Sequence, residues 1–497
     1  MRQFFDPQLE LDATPIEDII FNVRSRDDIP QLLRGLQHIY TQPNCREAVF
    51  EILQNNIKPG TSFDNGRPGM DLWVILVLGT LRLGLGCDYD RLHDLANEHR
   101  TIRMMLGHND WENGHVYGLQ TLRDNVTLLT ESMLQEINKV VVDAGHDVVE
   151  KKETDTLKAR CDSFVVETHV EYPTDAAMLF DSLRKTIVLT KELCDRYNVN
   201  GWRQYHYNIE RLNACLRKAQ QSHRTRREDP EKYKHKVYKK YLRVAQGYID
   251  RSIASIDELI VVSEQLQPSK ELCQLRDKLK EIAEFQGYAV LLHDQIEQRI
   301  LSDVTIAAKE KIYSIFQPHT EWISKGKAGV PFELGLKVCI LEDQHQFILH
   351  HQVMEKCQDV DAAVPMVKAS QDKFPDLASC SFDKGFYSKS NQADLADILT
   401  DVILPKKGKL SSKQKTKEHA ADFKQARRQH SAVESAINAL ESCGLDRCRD
   451  HGIDGFKRYV ALAILSRNVK RLGTLLIQNE RAQLTHKKRS GNYAQAA

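Results

Sequence analysis

None of the eleven cysteines stands in a CxxC pair. That excludes a zinc ribbon and a dithiol redox motif, and singly scattered thiols fit a reducing compartment better than a disulfide framework. Cys443 and Cys448 are the nearest pair and read as structural. Long apolar runs are missing as well. The longest near the start, LWVILVLGTLRLGLG (Leu72–Gly86), is too short to span a bilayer and carries Arg82, so it reads as a buried helix. The opening MRQFFDPQLELDATP holds no apolar signal core, so secretion is not expected and a cytoplasmic location is. Nor is there a large net charge: 70 Lys and Arg against 69 Asp and Glu leave +1. The chain is not globally basic.

What is present is locally uneven. Ala214 to Arg243 holds eleven Lys/Arg against three Asp/Glu, and Pro405 to Arg428 holds nine against two. Stretches of that density are candidate phosphate-contact surfaces, or else solvated helix faces and loops. At 497 residues there is room for two to four domains, each with its own core.

Residues 1–150 read as helical, with apolar residues at three-to-four spacing in IPQLLRGLQHIYT, NCREAVFEILQNN, DYDRLHDLANEHRTIRMMLG and VTLLTESMLQEINKVVVDAG. Asp88 and Asp90 stand where an N-cap would, and Asp88–Gly107 is compatible with a helix-turn-helix or a plain helical bundle. The stretch CDSFVVETHVEYPTD (Cys161–Asp175) is β-rich and stopped by Pro173. Helices resume from Ala176 to about Ala308, with a hairpin turn expected at Pro268. Strands return in FELGLKVCILED and QFILHHQVM, separated only by Gln344 and His345, which predicts a hairpin. A helix capped by Asp359, a strand ending at Asp383, a helix over SNQADLADIL and a strand over DVILPKK follow. The basic stretch Gly408–Lys424 reads as a partly mobile loop, and a final helical section runs from about Gln425 to Gln478. The outline is an α/β core assembled from discontinuous segments.

Three acids occupy comparable places: Asp162 at the beginning of the first strand, Asp383 at the end of a later one, and Glu434 on the helix within ARRQHSAVESAINALESCGL. Strand ends and helices converge where ligand sites form in such sheets. Three carboxylates gathered there stay ionised only if a cation screens them, and hard oxygen donors suit Mg²⁺ or Mn²⁺. Taken singly, Asp162 also reads as a turn residue, Asp383 as a partner of Lys384, and Glu434 as a solvated glutamate.

The blocks DSFVVETHVEYPTD, SFDKGFYSKSNQADL and RRQHSAVESAINALESCGLDRCRDHGIDGFKRYVALAILSRNVKRLG resemble, in this order, the motif blocks of DDE transposases from bacterial insertion sequences, the ISNCY group in particular. PHTEWISKGKAGVPFELGLKV (Pro318–Val338) is similar to that group's lead into the second strand, and the Leu72–Gly107 region to the helical N-terminal domain of such proteins. The resemblance spans about Leu72 to Gly473. It implies a ribonuclease H-like mixed sheet core with a large helical insertion, preceded by an all-α N-terminal domain. The implied domains are an end-binding region at 1–150, a catalytic domain at 155–175 and 305–478, an insertion at 176–304, and a basic, polar tail at 481–497. The implied activity is metal-dependent cleavage of double-stranded DNA at terminal inverted repeats and joining to target DNA by a nucleoid-associated homodimer. Asp162, Asp383 and Glu434 would hold two Mg²⁺ or Mn²⁺ ions. The alternatives are an inactive DNA-binding relative and a nuclease that cuts without joining.

Many such transposases carry Tyr, Arg and Lys around the glutamate; here those positions are Arg427, His430 and Glu441, so no lysine after Glu434 takes that role. Arg427, Arg428 and His430 are the substitutes expected to meet phosphate, together with Lys325, Lys327 and Lys384; Tyr387 either touches DNA or holds the turn. Glu441 rivals Glu434 and Asp175 rivals Asp162 as ligand. Seven helical residues separate the two glutamates by roughly 10 Å, so they cannot serve one site together.

Overall fold

The computed structural model describes residues 13–56, 69–109, 115–324 and 331–495. Among the described residues seven α-helices come first: α1 (Asp28–Thr41), α2 (Pro43–Asn56), α3 (Leu72–Gly84), α4 (Tyr89–Glu98), α5 (Arg100–Met105), α6 (Leu119–Val126) and α7 (Glu131–Val148). Strand β1 (Leu157–Thr168) is followed by α8 (Asp175–Arg196), α9 (Tyr205–Ser222), α10 (Pro230–Gln265) and α11 (Lys270–Ile296). Then come β2 (Glu321–Ser324), β3 (Phe332–Glu342), β4 (Ile348–Met354), α12 (Asp359–Lys373), β5 (Leu377–Phe382), α13 (Lys389–Ile398) and β6 (Asp401–Ile403). Helices α14 (Ser412–His419), α15 (Ala421–His430) and α16 (Ala432–Leu440), the short strand β7 (Arg447–Cys448) and the long α17 (Gly452–Gln495) complete the chain. No helix among the described residues is long and apolar enough to cross a membrane, and all eleven cysteines are free.

The chain divides into two compact units, Met1–His169 with Ile323–Ala497, and Val170–Trp322. The second unit is helical and has its own core, in which Leu183, Leu212, Tyr241 and Ile282 are fully buried. Side-chain oxygens of Thr174, Asp229 and Ser269 cap α8, α10 and α11, and Pro230 opens α10 at a position where its missing N–H costs nothing. Pro268 lies in the turn between α10 and α11.

In the first unit the helices before residue 150 do not stand apart. They share one core with the sheet and with α17. Every residue of α3 is buried, so this apolar cylinder needs cover on all sides. One neighbour is α17, joined through a buried ion pair: Arg82 donates to both carboxylate oxygens of Asp450, at 2.6 and 3.3 Å, and Arg458 also donates to Asp450. Helices α1 and α17 cross so closely at Gly35 and Gly473 that a Cβ on either would collide with a backbone carbonyl of the other helix, Val469 O or Gln31 O.

The sheet runs β2-β3-β1-β5-β6, with β4 added to β3 and β7 to β1. Strand β1 is antiparallel to β3, where Asp162 faces Ile340, and parallel to β5, where Cys161 faces Phe382. The hairpin between β3 and β4 forms as its spacing predicts. Its turn is tied by the buried Asp343, whose Oδ1 accepts the N–H groups of His345 and Phe347 while Oδ2 meets His146 at 2.6 Å.

Three local expectations change. Gly408–Lys424 is not a loop: α14 and the start of α15 occupy it, because Lys, Gln, Ala and Glu favour helix even without an apolar face. Asp359 is not the cap of α12. Gln358 is, in a reciprocal arrangement with Asp361. The polar segment from Arg481 continues α17 as far as Gln495.

Candidate active site

Asp162 does not begin its strand; it lies midway along β1, whose flanking Cys161, Phe164 and Val166 are buried. It marks a fork. On one side of β1 the parallel partner is β5, ending opposite Cys161; further along it is β7, starting opposite Glu167. Between these two partners the edge of β1 opens, and Asp162 stands at the mouth of the gap.

Asp383 follows β5 directly and is exposed. Continuing the register by one residue sets it beside Asp162, on a strand about 4.8 Å away and on the same face. The chain then turns through a short 3₁₀ segment, Lys384–Phe386. Gly385 has no left-handed backbone; its value is space, since a Cβ there would press on the Asp359 carboxylate at 3.2 Å. Glu434 comes from a third segment. Helix α16 buries Val433, Ala436, Ile437 and Leu440 and packs on β1, leaving Glu434 exposed in its first turn.

The three acids share an electrostatic field. Burial first, and then the negative charges of Asp383, Asp359 and Glu434, push the Asp162 carboxyl up to about 6; the Ser163 N–H, donated to Asp162 Oδ1 at 2.7 Å, opposes this. None of Asp162, Asp383 and Glu434 makes an ion pair among the described residues. Nearby carboxylates differ: Glu342 meets Arg160 and Arg467, and Asp359 meets Lys337. Uncompensated negative charge on hard oxygen donors is the chemistry a divalent cation satisfies. The oxygens of the three acids do not all come within 4.8 Å of one another. Among the described residues the group that does is His293, Asp294 and Glu297, in the second unit.

Asp175 opens α8 in the second unit and is ion-paired to Arg299. Glu441 follows the end of α16 and, unlike Glu434, is not among the charges that act most strongly on Asp162. Of the basic residues, Lys384 is exposed beside Asp383, and Arg427 and Arg428 are exposed in the last turn of α15. His430 is half-buried, with Nδ1 3.0 Å from the Ser381 hydroxyl, so it braces β5 two residues before Asp383. Burial, Arg160 and Arg427 lower its pKa while Asp383 and Glu434 oppose them. Tyr387 is half-buried and packs against the main core. Lys325 and Lys327 lie outside the described residues.

The sequence reading missed Asp359. Its Oδ1 accepts from the Ser163 hydroxyl at 2.7 Å and from Lys337 Nζ at 3.0 Å, which ties α12 to β1 and β3 next to Asp162. No local signal marks it, because an acid in a helix's first turn is ordinary.

Residues 298–469 match the family model of the transposase DDE domain. The matched segment, about a third of the chain, includes Asp383 and Glu434; Asp162 precedes it. The match supports a DDE transposase. No curated protein and no solved structure matches the chain.

Proposed function

We propose that this chain is the transposase of an insertion sequence, of the ISNCY type, in which Asp162, Asp383 and Glu434 hold divalent cations, Mg²⁺ or Mn²⁺, and cut DNA at the element's ends before joining the 3′-hydroxyl to target DNA. The observation that carries this reading is the meeting of three carboxylates without ion-pair partners, drawn from β1, the end of β5 and α16, two of them within the matched domain. A bound pair of such cations would polarise the phosphodiester and activate the attacking oxygen.

The chain's own residues supply the rest. Asp162 is fixed by the centre of the sheet and oriented by the Ser163 N–H. Asp383 is carried to the open edge by the turn that Gly385 permits. Glu434 reaches the site from a helix whose other side is anchored in the core. Lys384, Arg427 and Arg428 offer positive charge to phosphates flanking the cut, and His430 holds the end of β5 in place. The helices before residue 150 recognise the terminal repeats, and a homodimer holds two ends together. Because cleavage and joining use the same acids, a pre-cut end isolates the second step. Incubated with Mg²⁺ and supercoiled plasmid, a pre-cut terminal-repeat duplex should be joined by the wild-type chain and not by Asp383→Asn. Cleavage of uncut ends without joining would favour a nuclease instead, and binding without either would favour an inactive relative.

A further inference from the structure

The second unit carries a charged surface that the acids do not explain. Helix α10 is 36 residues long, about 54 Å. On its first part Lys232, Lys236, Lys239, Lys240 and Arg243 are all exposed. At 100° per residue these five fall within one stripe about 100° wide, opposite the face that buries Tyr238, Tyr241 and Ala245. The same face then reverses sign: beyond Gly247 it presents Asp250, Asp257 and Glu258. The basic stripe is therefore not a generally solvated helix surface with mixed charge. Its charges are also uncommitted. None of the five makes an ion pair among the described residues, whereas neighbouring Lys234 is bound to Glu231 and Arg227 lies over the Tyr233 ring, 4.0 Å from its centroid. Exposed Arg217 and Lys218 on the preceding α9 add to the positive field.

Holding like charges in register on a rigid helix costs self-repulsion, which a polyanion with regularly spaced charge relieves. The stripe from Lys232 to Arg243 extends about 16 Å along the axis. Duplex DNA presents one phosphate per about 3.4 Å on each strand, so one backbone crossing the stripe can meet several of these cations. No aromatic side chain lies within the stripe, so it has no platform for stacked single-stranded bases. We infer that the N-terminal half of α10 is a sequence-independent binding surface for the phosphate backbone of duplex DNA, separate from the residues assigned to cleavage. The surface rests on its charge pattern alone; only the choice of DNA over RNA leans on the transposase reading.

The test uses the full chain and a fluorescent DNA duplex of arbitrary sequence, with binding measured by anisotropy across a series of salt concentrations without divalent metal. Replacing all five residues by Gln should lower the slope of log K against log salt by about 3–5 and weaken binding at least tenfold at low salt. Circular dichroism should be unchanged and the thermal midpoint no lower than in wild type, since these side chains contribute nothing to the core and their neutralisation removes self-repulsion. Asp383→Asn should leave the slope as in wild type. An unchanged slope in the five-residue variant would overturn the inference, and so would tighter binding of duplex RNA through the same stripe or equal competition by polyglutamate. Loss of slope in a chain that neither cuts nor joins DNA would retain this surface while removing the proposed activity.

Discussion

Asp162 is held where its charge is least welcome, half-buried on a central strand and facing two other acids. Its carboxyl is raised from 3.8 to about 6, so between those pH values the folded chain binds more protons than the unfolded one. The metal-free protein should therefore lose stability as pH rises from about 4 to 6, and remain at that lower level above. Asp162→Asn keeps an acceptor for the Ser163 N–H and removes the charge. In EDTA at pH 7.5 it should be more stable than wild type by about 1–3 kcal/mol, with the gain shrinking toward pH 5. Urea denaturation at the two pH values measures this; a variant less stable than wild type at pH 7.5 would contradict it. Added Mg²⁺ should stabilise the wild type more at pH 7.5 than at pH 5, since protonation competes with the cation. The three acids were legible because their motif blocks are local. Asp359 was not, since its partners Ser163 and Lys337 are brought to it only by tertiary structure.

At the scale of elements, what holds the sheet's supporting helices together is a few close contacts with little slack. Asp450 neutralises two guanidinium groups that are themselves largely buried, Arg82 and Arg458. Asp450→Ala would leave both without their counter-charge and should cost about 3–5 kcal/mol by chemical denaturation. Gly473→Ala forces α17 away from α1 and should cost about 1–3 kcal/mol, against a gain of about 0.4–1 kcal/mol if the site were open. The helices with apolar periodicity, and the β3–β4 hairpin, were readable from the sequence because burial imposes the period. Helix α14 and the start of α15 were not, because Phe423 is the one buried residue among those described there and the remaining pattern is charge. The end of α17 was misplaced for the same reason: beyond Gln478 its residues carry no apolar stripe to read.

For the whole molecule, the two units have separate cores, and the helices read from the sequence as an all-α N-terminal domain at 1–150 share the core of the larger one. That merging could not be read from the sequence, since nothing local says that α3 and α17, nearly four hundred residues apart, enclose one another. Separate cores predict separable stability. Tyr241 is fully buried in the second unit and donates its hydroxyl to Ala176 O; Tyr241→Ala should cost that unit about 3–5 kcal/mol. Calorimetry should show one transition lowered, while the Mg²⁺-dependent stabilisation tied to Asp162 persists. If Asp162, Asp383 and Glu434 serve one cation-dependent cutting site, three distant segments must act together. The most direct measurement is Mg²⁺-dependent nicking of a terminal-repeat duplex by the purified chain and by Asp162→Asn, Asp383→Asn, Glu434→Gln and Glu441→Gln. Nicking should be abolished by EDTA and by each of the first three changes, with binding retained, and preserved in Glu441→Gln. Nicking that survives any of the first three would contradict that shared site.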